Sequence, residues 1–536
     1  MSTADWVVVV VFLGFVITDG LLKARRNRTA EDYLLASRGV PWWAMGLSVM
    51  ATQASAITFV GTTGKGYTSG TGFVQFYYFL PAAMLILCAT AVPFFHRARV
   101  YTAYEYLERR FGSGTRRATS ATFLVLRCLS LGIILAAPAL VLAAFTGYAY
   151  ELMVLAMGVV AVTYTSFGGL KAVISTDVKQ MGVMMVSLII LFVLIVGALP
   201  DDVGFLGAIK LADAAGKVEL ANTSFDPAEK YTIWSALLGG SIIFLAYFGT
   251  DQSQVQRYLA GRSLRDKRGA LILNAIAKVP VQFAILMLGV LIWAWSLYDP
   301  MPLVMGTQQS PATVAAEGVH RSQSLDAGRR GKAWLASDAD ADRAAFVASS
   351  QAVDATRLAG SPEGAANQVV PWIMKNRLPS WGITGLLLAG ILAAALSTID
   401  SELNSLATVA TVDGLRLDPQ DPHQTRRIVW WTRSFTVVFG VLSAGFALTL
   451  SDAGALIEVV NEVGSWFYGS LLGVFLLAWC DRGAHGRAAV TGLLAGMAAV
   501  VLANQVLELA WLWRNTVGTG TTVIVGAVAS RLIPAR

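Results

Sequence analysis

Two acids stand where the surrounding sequence is apolar. Asp177 lies in GGLKAVISTDVKQ, at the start of one hydrophobic stretch, and Asp400 lies in AAALSTIDSELNS, well inside another. A charge at bilayer depth is unfavourable by roughly a few kcal/mol or more, so intramembrane acids mark ion or substrate pathways by default. Each acid also has a plainer reading. Asp177 suits a helix N-terminus at the interface, where the macrodipole favours negative charge. Asp400 suits a buried carboxyl hydrogen-bonded to neighbouring hydroxyls.

Those hydroxyls are regularly spaced. Ser397, Ser401 and Ser405 recur every fourth residue and therefore stack on one helical face, with Thr398 beside them. Hydroxyls in membrane helices often bond back to the carbonyl one turn earlier. They are also the neutral oxygens that a hard cation needs in number. Carbonyls freed by an unwound helix, added to a Ser-Thr pair, give chemistry suited to sodium: enough oxygen to replace water, too little charge to trap the ion. Residues 48–72, with Ser, Thr, Gln and five Gly, and residues 246–256, AYFGTDQSQVQ, both read as interrupted helices. Irregular backbone at membrane depth persists only where it lines a cavity or is buried in protein, although Gly and Ser also permit close helix packing. Arg127 falls inside the apolar stretch 119–147. It either snorkels to the cytoplasmic end or presents the paired N–H donors that grip a carboxylate.

The elements that must position these residues are membrane helices. Of 536 residues, 55% are hydrophobic and 14% charged, against roughly a quarter charged in soluble proteins. A helix needs about 20 apolar residues to cross a bilayer core, and blocks of that order recur at 6–22, 123–147, 181–199, 271–295 and 381–410. A dozen such blocks cannot hide in one soluble core. The expectation is an all-α membrane protein with about thirteen transmembrane helices: 6–22, 42–69, 71–96, 119–147, 149–167, 176–199, 232–255, 269–297, 381–410, 428–450, 454–480, 487–510 and 514–533. The first block lacks a preceding basic residue and a cleavage site, so it reads as a retained helix rather than a signal peptide.

The remaining composition narrows the function. Cys88, Cys128 and Cys480 all fall in apolar segments, which gives no disulfide framework. Four histidines without paired spacing argue against a metal enzyme. The net charge of +7 is read as loop anchoring on the cytoplasmic side rather than as nucleic-acid binding. Basic short loops carry Lys23, Arg25, Arg26 and Arg28; Arg97, Arg99, Arg109, Arg110, Arg116 and Arg117; Arg257, Arg262, Arg265, Lys267 and Arg268; Arg416, Arg426 and Arg427; and Arg482 and Arg487. All share one side if the N-terminus is outside and the C-terminus inside. The loop 200–231, with Asp201, Asp202, Asp213, Glu219, Asp226 and Glu229, then falls outside. Residues 299–380 read as a long external loop insertion, partly helical and partly disordered.

Two interrupted helices, each opening five spans, imply inverted repeats with the binding site at the breaks. The chain is read as one transporter domain over 1–536. An extra helix spans 6–22, the first repeat 42–199, the second 232–297 and 381–480, and two C-terminal helices 487–533.

GGLKAVISTDVKQ, FGTDQSQVQRYLAGRS, ALSTIDSELNSLATVATVD and NEVGSWFYGSLLGVFLLAW resemble hallmark segments of the sodium:solute symporters. The family includes sodium/sugar, proline, sialic acid, iodide and vitamin carriers, and the resemblance runs from about residue 6 to 510 outside the external loop. It implies a LeuT-like 5+5 inverted repeat and no enzyme activity. The implied ion is sodium, held at a shared site by the carbonyls of Ala51, Ala54 and Ala394 and the side chains of Ser397 and Thr398. Some members hold a second sodium where Asp177 and Ser401 fall; Asp400 replaces their Ser, and a carboxylate there either strengthens that site or occupies it in protonated form. The implied substrate pocket includes Gln53, Ser55, Thr58, Tyr77, Lys278 and Asn461. Tyr77 and Thr58 replace the Glu and the Gln or His of sugar carriers, which counts against galactose-like recognition. Sialic acid carriers use an Arg in the helix of Arg127 for the substrate carboxylate.

The expected function is sodium-coupled symport of a small polar organic solute (sugar, polyol, sugar acid or other organic anion) into the cell by alternating access. A proton-coupled carrier of the same fold is one alternative. A transporter-like membrane sensor is another, and it would need a signalling domain, which the sequence does not suggest after its last span. The expected partners are the solute and the lipid bilayer of the cell membrane, without nucleic acid; the sequence leaves the oligomeric state open, and a monomer suffices.

Overall fold

The computed structural model describes residues 1–24, 29–303, 311–360, 365–379, 381–451, 454–507 and 509–534. Arg25, Arg26 and Arg28 of the expected basic loop lie outside the described residues, as do parts of the loop 299–380. Among the described residues the secondary structure is helical, with one isolated parallel bridge between Val40 and Gly261. A bilayer supplies no hydrogen bonds to exposed backbone, so helices that satisfy their own N–H and C=O groups are the expected solution.

The principal helices are α1 (Thr3–Ala24), α2 (Trp42–Gln53), α3 (Thr63–Ser69), α4 (Leu80–Ala89), α5 (Ala91–Ala98), α6 (Ser113–Thr146), α7 (Tyr150–Gly197), α8 (Ser241–Gly249), α9 (Gln252–Leu259) and α10 (Leu264–Ser296). They continue with α11 (Pro311–Ser337), α12 (Asp340–Gly360), α13 (Ile383–Val409), α14 (Thr425–Ala447), α15 (Leu456–Ser465), α16 (Tyr468–Cys480), α17 (Gly486–Val506) and α18 (Trp511–Leu532).

Among the described residues nine helices are long and apolar enough to cross a membrane, or eleven if each bent pair is one span. The expected count of thirteen differs in two places. α7 joins the expected spans 149–167 and 176–199 into one 48-residue element. At 1.5 Å per residue that is about 72 Å, more than twice a bilayer core of about 30 Å. Gly169, at φ 63° and ψ 179°, interrupts it. The other is α18, whose TVGTGTT segment dilutes its hydropathy.

Both interruptions read from the sequence are bends. The helix Trp42–Gln53 meets Ile57–Ser69 at 64°, and Ile233–Gly249 meets Gln252–Leu259 at 53°. Asp251 caps the restart of α9 by accepting from the N–H of Ser253 at 2.9 Å. α3 and α10 press together through glycines. A Cβ on Gly289 would lie 2.0 Å from the Thr63 carbonyl oxygen, and one on Gly66 2.2 Å from that of Leu286.

The expected external loop is mostly helical. α11 and α12 form a hairpin, with Trp334 and Phe346 stacked at 5.9 Å. Asp354 ties it to the bundle, accepting from Lys217 at 2.9 Å and Trp293 at 3.2 Å. His320 is buried there, and burial pushes its imidazole down to about 4.

Candidate functional site

α2 ends because Ala54 leaves helical space at φ −91° and ψ 63°. Its N–H closes the helix on the carbonyls of Met50 at 2.9 Å and Ala51 at 3.1 Å, and the chain turns before resuming at Ile57. α13 packs its hydroxyl face against this end. Ser397 Oγ lies 3.1 Å from the carbonyl oxygens of both Ala51 and Ala394. Thr398 Oγ1 lies 3.1 Å from that of Thr52 and 3.2 Å from that of Ala394. Three carbonyls and two hydroxyls therefore converge. Their separations approach the edge of an octahedron with metal–oxygen bonds of 2.3–2.6 Å, roughly 3.3–3.7 Å, so the donor set fits a hard monovalent cation. Of the expected residues, Ala51, Ala394, Ser397 and Thr398 meet here. Ala54 makes the break itself, and Thr52 adds an unexpected carbonyl.

Asp177 and Asp400 lie beside this cluster, both fully buried. Ser48 Oγ donates to Asp177 Oδ2 at 2.5 Å. Ser401 Oγ lies 3.3 Å from Asp400 Oδ1, 3.1 Å from Thr52 Oγ1, and donates to the Ser397 carbonyl at 2.6 Å. Arg257 stands among them. Its Nη2 is 3.8 Å from Asp177 Oδ2 and donates to Ser401 Oγ; its Nε donates to Ser48 at 3.1 Å, and its Nη1 to the Ser253 carbonyl. This corrects the reading of Arg257 as a basic loop residue: the short helix α9 is buried along its whole length. The polar run DQSQVQR at an interrupted span was the signal for it. One guanidinium thus serves two carboxyl groups, and Asp177 Oδ1, Asp400 Oδ2 and both Gln180 amide atoms have no hydrogen-bond partner in the described residues.

Next to the oxygen cluster is a cavity of about 130 Å³. All seven expected substrate residues line it: Gln53, Ser55, Thr58, Tyr77, Arg127, Lys278 and Asn461. Thr52 and Thr398 line it too, so the cavity and the oxygen cluster share a wall. Phe76, Tyr77 and Phe244 give an aromatic face, with ring centroids 4.7–5.7 Å apart.

The two cations of the cavity differ. Arg127 donates to Asp251 Oδ2 from Nε at 2.7 Å and Nη2 at 2.5 Å, to Glu402 Oε1 from Nη1 at 2.7 Å, and to the Tyr468 hydroxyl at 2.5 Å. Its guanidinium also lies 5.0 Å from the Tyr247 ring. Protein carboxylates thus occupy the donors that a substrate acid would use. Lys278 is also buried, yet no carboxylate pairs with it among the described residues, and its Nζ sits 5.6 Å over the Tyr77 ring. Sequence reasoning missed Asp251 and Glu402; both lie inside quoted segments, FGTDQ and STIDSELN, but neither stands out without knowing that Arg127 faces them.

Comparison with known proteins agrees with this architecture. The family model described as "Sodium:solute symporter family" matches residues 33–317 and 343–496. A sodium-dependent multivitamin transporter of Oryctolagus cuniculus is 32% identical over 506 residues, 92% of this chain and 69% of that protein. A sodium/sialic acid symporter of Aliivibrio fischeri is 27% identical over 537 residues, 98% of this chain and 92% of that protein. A sodium-coupled monocarboxylate transporter of Homo sapiens is 28% identical over 476 residues, 88% of this chain and 68% of that protein. The structure also superposes on the substrate-bound outward-open state of a Na+-coupled sialic acid symporter with TM-score 0.80. The identity is 24%, and 100% of this chain and 99% of that one are covered. The fold is shared, and it is the LeuT-like fold that the family resemblance implied.

Proposed function

The chain belongs to the sodium:solute symporter family, and from that premise we propose that the cavity beside Thr52 and Thr398 is the substrate site of a carrier that imports a small polar organic solute. The protein is a multi-pass membrane transporter, not an enzyme; it couples sodium to a small-molecule substrate. In the proposed arrangement the N-terminus faces outside, the protein sits in the cell membrane, and the sodium gradient with the negative interior drives uptake. That drive is about 2.3 kcal/mol per charge per 100 mV.

One observation supports this reading most. Thr52 and Thr398 belong both to the oxygen cluster and to the cavity wall. An ion on Ala51, Thr52, Ala394, Ser397 and Thr398 would fix the end of α2 against α13, and with it the wall that a solute touches. Ion and solute then bind the same conformation, which is the differential affinity that coupling requires. The unpartnered oxygens of Asp177 and Asp400 support a second cation position, taken by sodium or by a shared proton.

Within the solute class, an organic anion fits the cavity better than a neutral sugar. Lys278 is a buried cation with no carboxylate partner among the described residues, set against an aromatic face. The Lys278 reading is also consistent with relatives named for sialic acid and monocarboxylate.

Uptake into vesicles, with sodium replaced by choline at fixed pH, tests the coupling. A thermal-shift panel of sugars, sugar acids, monocarboxylates and amino acids, with and without sodium, tests the solute class. Uptake that persists without sodium contradicts the proposal, and stabilisation by neutral sugars alone contradicts the anion.

A further inference from the structure

A second cavity, of about 700 Å³, opens at the other end of the bundle from the external hairpin's tie to α10. Arg38, His96, Arg99, Arg262 and Lys267 line it, with Glu31 as the acid in its wall. Arg38 engages that acid, Nε to Oε1 at 2.9 Å, and leans on Tyr101 at 5.4 Å. Arg99, Arg262 and Lys267 form no ion pair among the described residues. The proposed transport mechanism uses none of these side chains.

Basic residues on a cytoplasmic face are ordinary, and exposed ones alone would mean little. Lys267 is different. It is 2% exposed, and no hydrogen bond or carboxylate within the described residues satisfies its ammonium. Its stem is fixed against Gly261, where an added Cβ would meet Lys267 Cγ at 2.9 Å. Its stem is buried while its ammonium faces the cavity, so the wall presents a positioned cation without a protein partner. The polar walls, the excess of cations and the volume together describe a receptor for a compact, highly charged anion.

We propose that this cavity binds a phosphate group at the bilayer surface, supplied by the headgroup of an anionic phospholipid or by a free phosphate ester, with Lys267 and Arg262 as its principal donors. Two features favour the lipid source. Arg262 also lines a neighbouring groove of about 550 Å³, whose walls include Trp43, Ile174 and Val178. A headgroup in the first cavity would therefore have beside it a largely apolar groove for an acyl chain, with Lys23, Lys171 and Lys179 also in its wall. Trp42 and Trp43, 46% and 48% exposed at the start of α2, sit where interfacial tryptophans are favoured.

The test uses the purified full-length protein in detergent, with thermal unfolding as the readout. Palmitoyl-oleoyl phosphatidylglycerol, the matching phosphatidylcholine and inorganic phosphate are titrated separately. Phosphatidylglycerol is expected to raise Tm and phosphatidylcholine not to. Lys267→Met and Arg262→Gln are each expected to raise the phosphatidylglycerol concentration for half-maximal shift by about fivefold. Without lipid, Lys267→Met should unfold at the same temperature or higher, because it removes a cation that has no protein partner; a merely structural lysine would not behave this way. If Lys267→Met does not fold, Arg262→Gln and Arg99→Gln, both at exposed positions, carry the test. A shift with inorganic phosphate that the same variants lose also supports the site and assigns it to a soluble phosphate. Equal shifts with both lipids, or a phosphatidylglycerol response unchanged in the variants, overturns the proposal.

Discussion

Arg257 and Asp177 face each other at 3.8 Å with both side chains fully buried. The guanidinium also donates to Ser401, the neighbour of Asp400. Removing it leaves two carboxylates without a fixed cation. Breaking a buried pair in this way typically destabilises by about 3–5 kcal/mol. Arg257→Gln is therefore expected to lower Tm and folded yield, and adding Asp400→Ser should recover part of the loss. Equal Tm for the single and double variants would show that the two acids do not share this cation.

Two buried acids around one guanidinium predict a response to sodium or to protons. Asp177→Asn is expected to raise the half-saturating sodium concentration for uptake, while Asp400→Ser keeps transport sodium-dependent. If Asp400 instead carries a proton, Asp400→Asn should transport and flatten the pH profile at fixed sodium. Normal transport with unchanged sodium and pH responses in all three variants would make the acids structural.

Ser397→Ala and Thr398→Ala each remove one oxygen from the cluster at the α2 break. The lost partner is worth on the order of 1–3 kcal/mol, roughly 5- to 150-fold in sodium affinity. Half-saturating sodium, measured by uptake at fixed solute, should rise in both. Unchanged values in both would remove the cluster as an ion site.

Arg127 and Lys278 should fail differently. Arg127→Gln strands Asp251 and Glu402, so it should damage folding as well as transport. Lys278→Met strands no acid; its Tm should hold or rise, while the KM for an anionic solute rises steeply. If Lys278→Met leaves KM unchanged, the anion is bound elsewhere.

The external hairpin should respond to acid. Burial holds His320 at about 4, below the ordinary 6.5. The fold favours the neutral imidazole, so its contribution is intact above about 6.5 and is lost as pH falls toward 4. Protection factors in α11 and α12, corrected for the intrinsic slowing of amide exchange in acid, should fall between pH 7 and pH 5, and His320→Phe should remove that fall. Equal protection factors at both pH values in the unaltered protein would contradict it.

Much of this was legible in the sequence, for local reasons. Helices came from apolar run length, and both breaks came from Gly, Ser and Asp at membrane depth. The hydroxyl face of α13 came from a four-residue spacing. What stayed hidden depended on partners far apart in the chain. Arg257 looks like a loop cation until α9 is seen buried along its length. Arg127 looks free for a substrate acid until Asp251 and Glu402, 124 and 275 residues away, are seen to hold it. Polar residues in a buried network carry no period, so no window along the chain exposes them.

The glycine contacts of α10 bear on where the molecule can bend. The backbones of Thr63 and Gly289 are too close to admit even a methyl group, and on the other side of the break a Cβ on Gly46 of α2 would meet Leu273 of α10 at 2.7 Å. Both halves of the broken helix thus lean on the same long helix. The unwound residues between Gln53 and Ile57 are the joint between those halves, and they adjoin the carbonyls proposed to hold sodium. An ion arriving there would clamp that joint and stiffen α2 against α3.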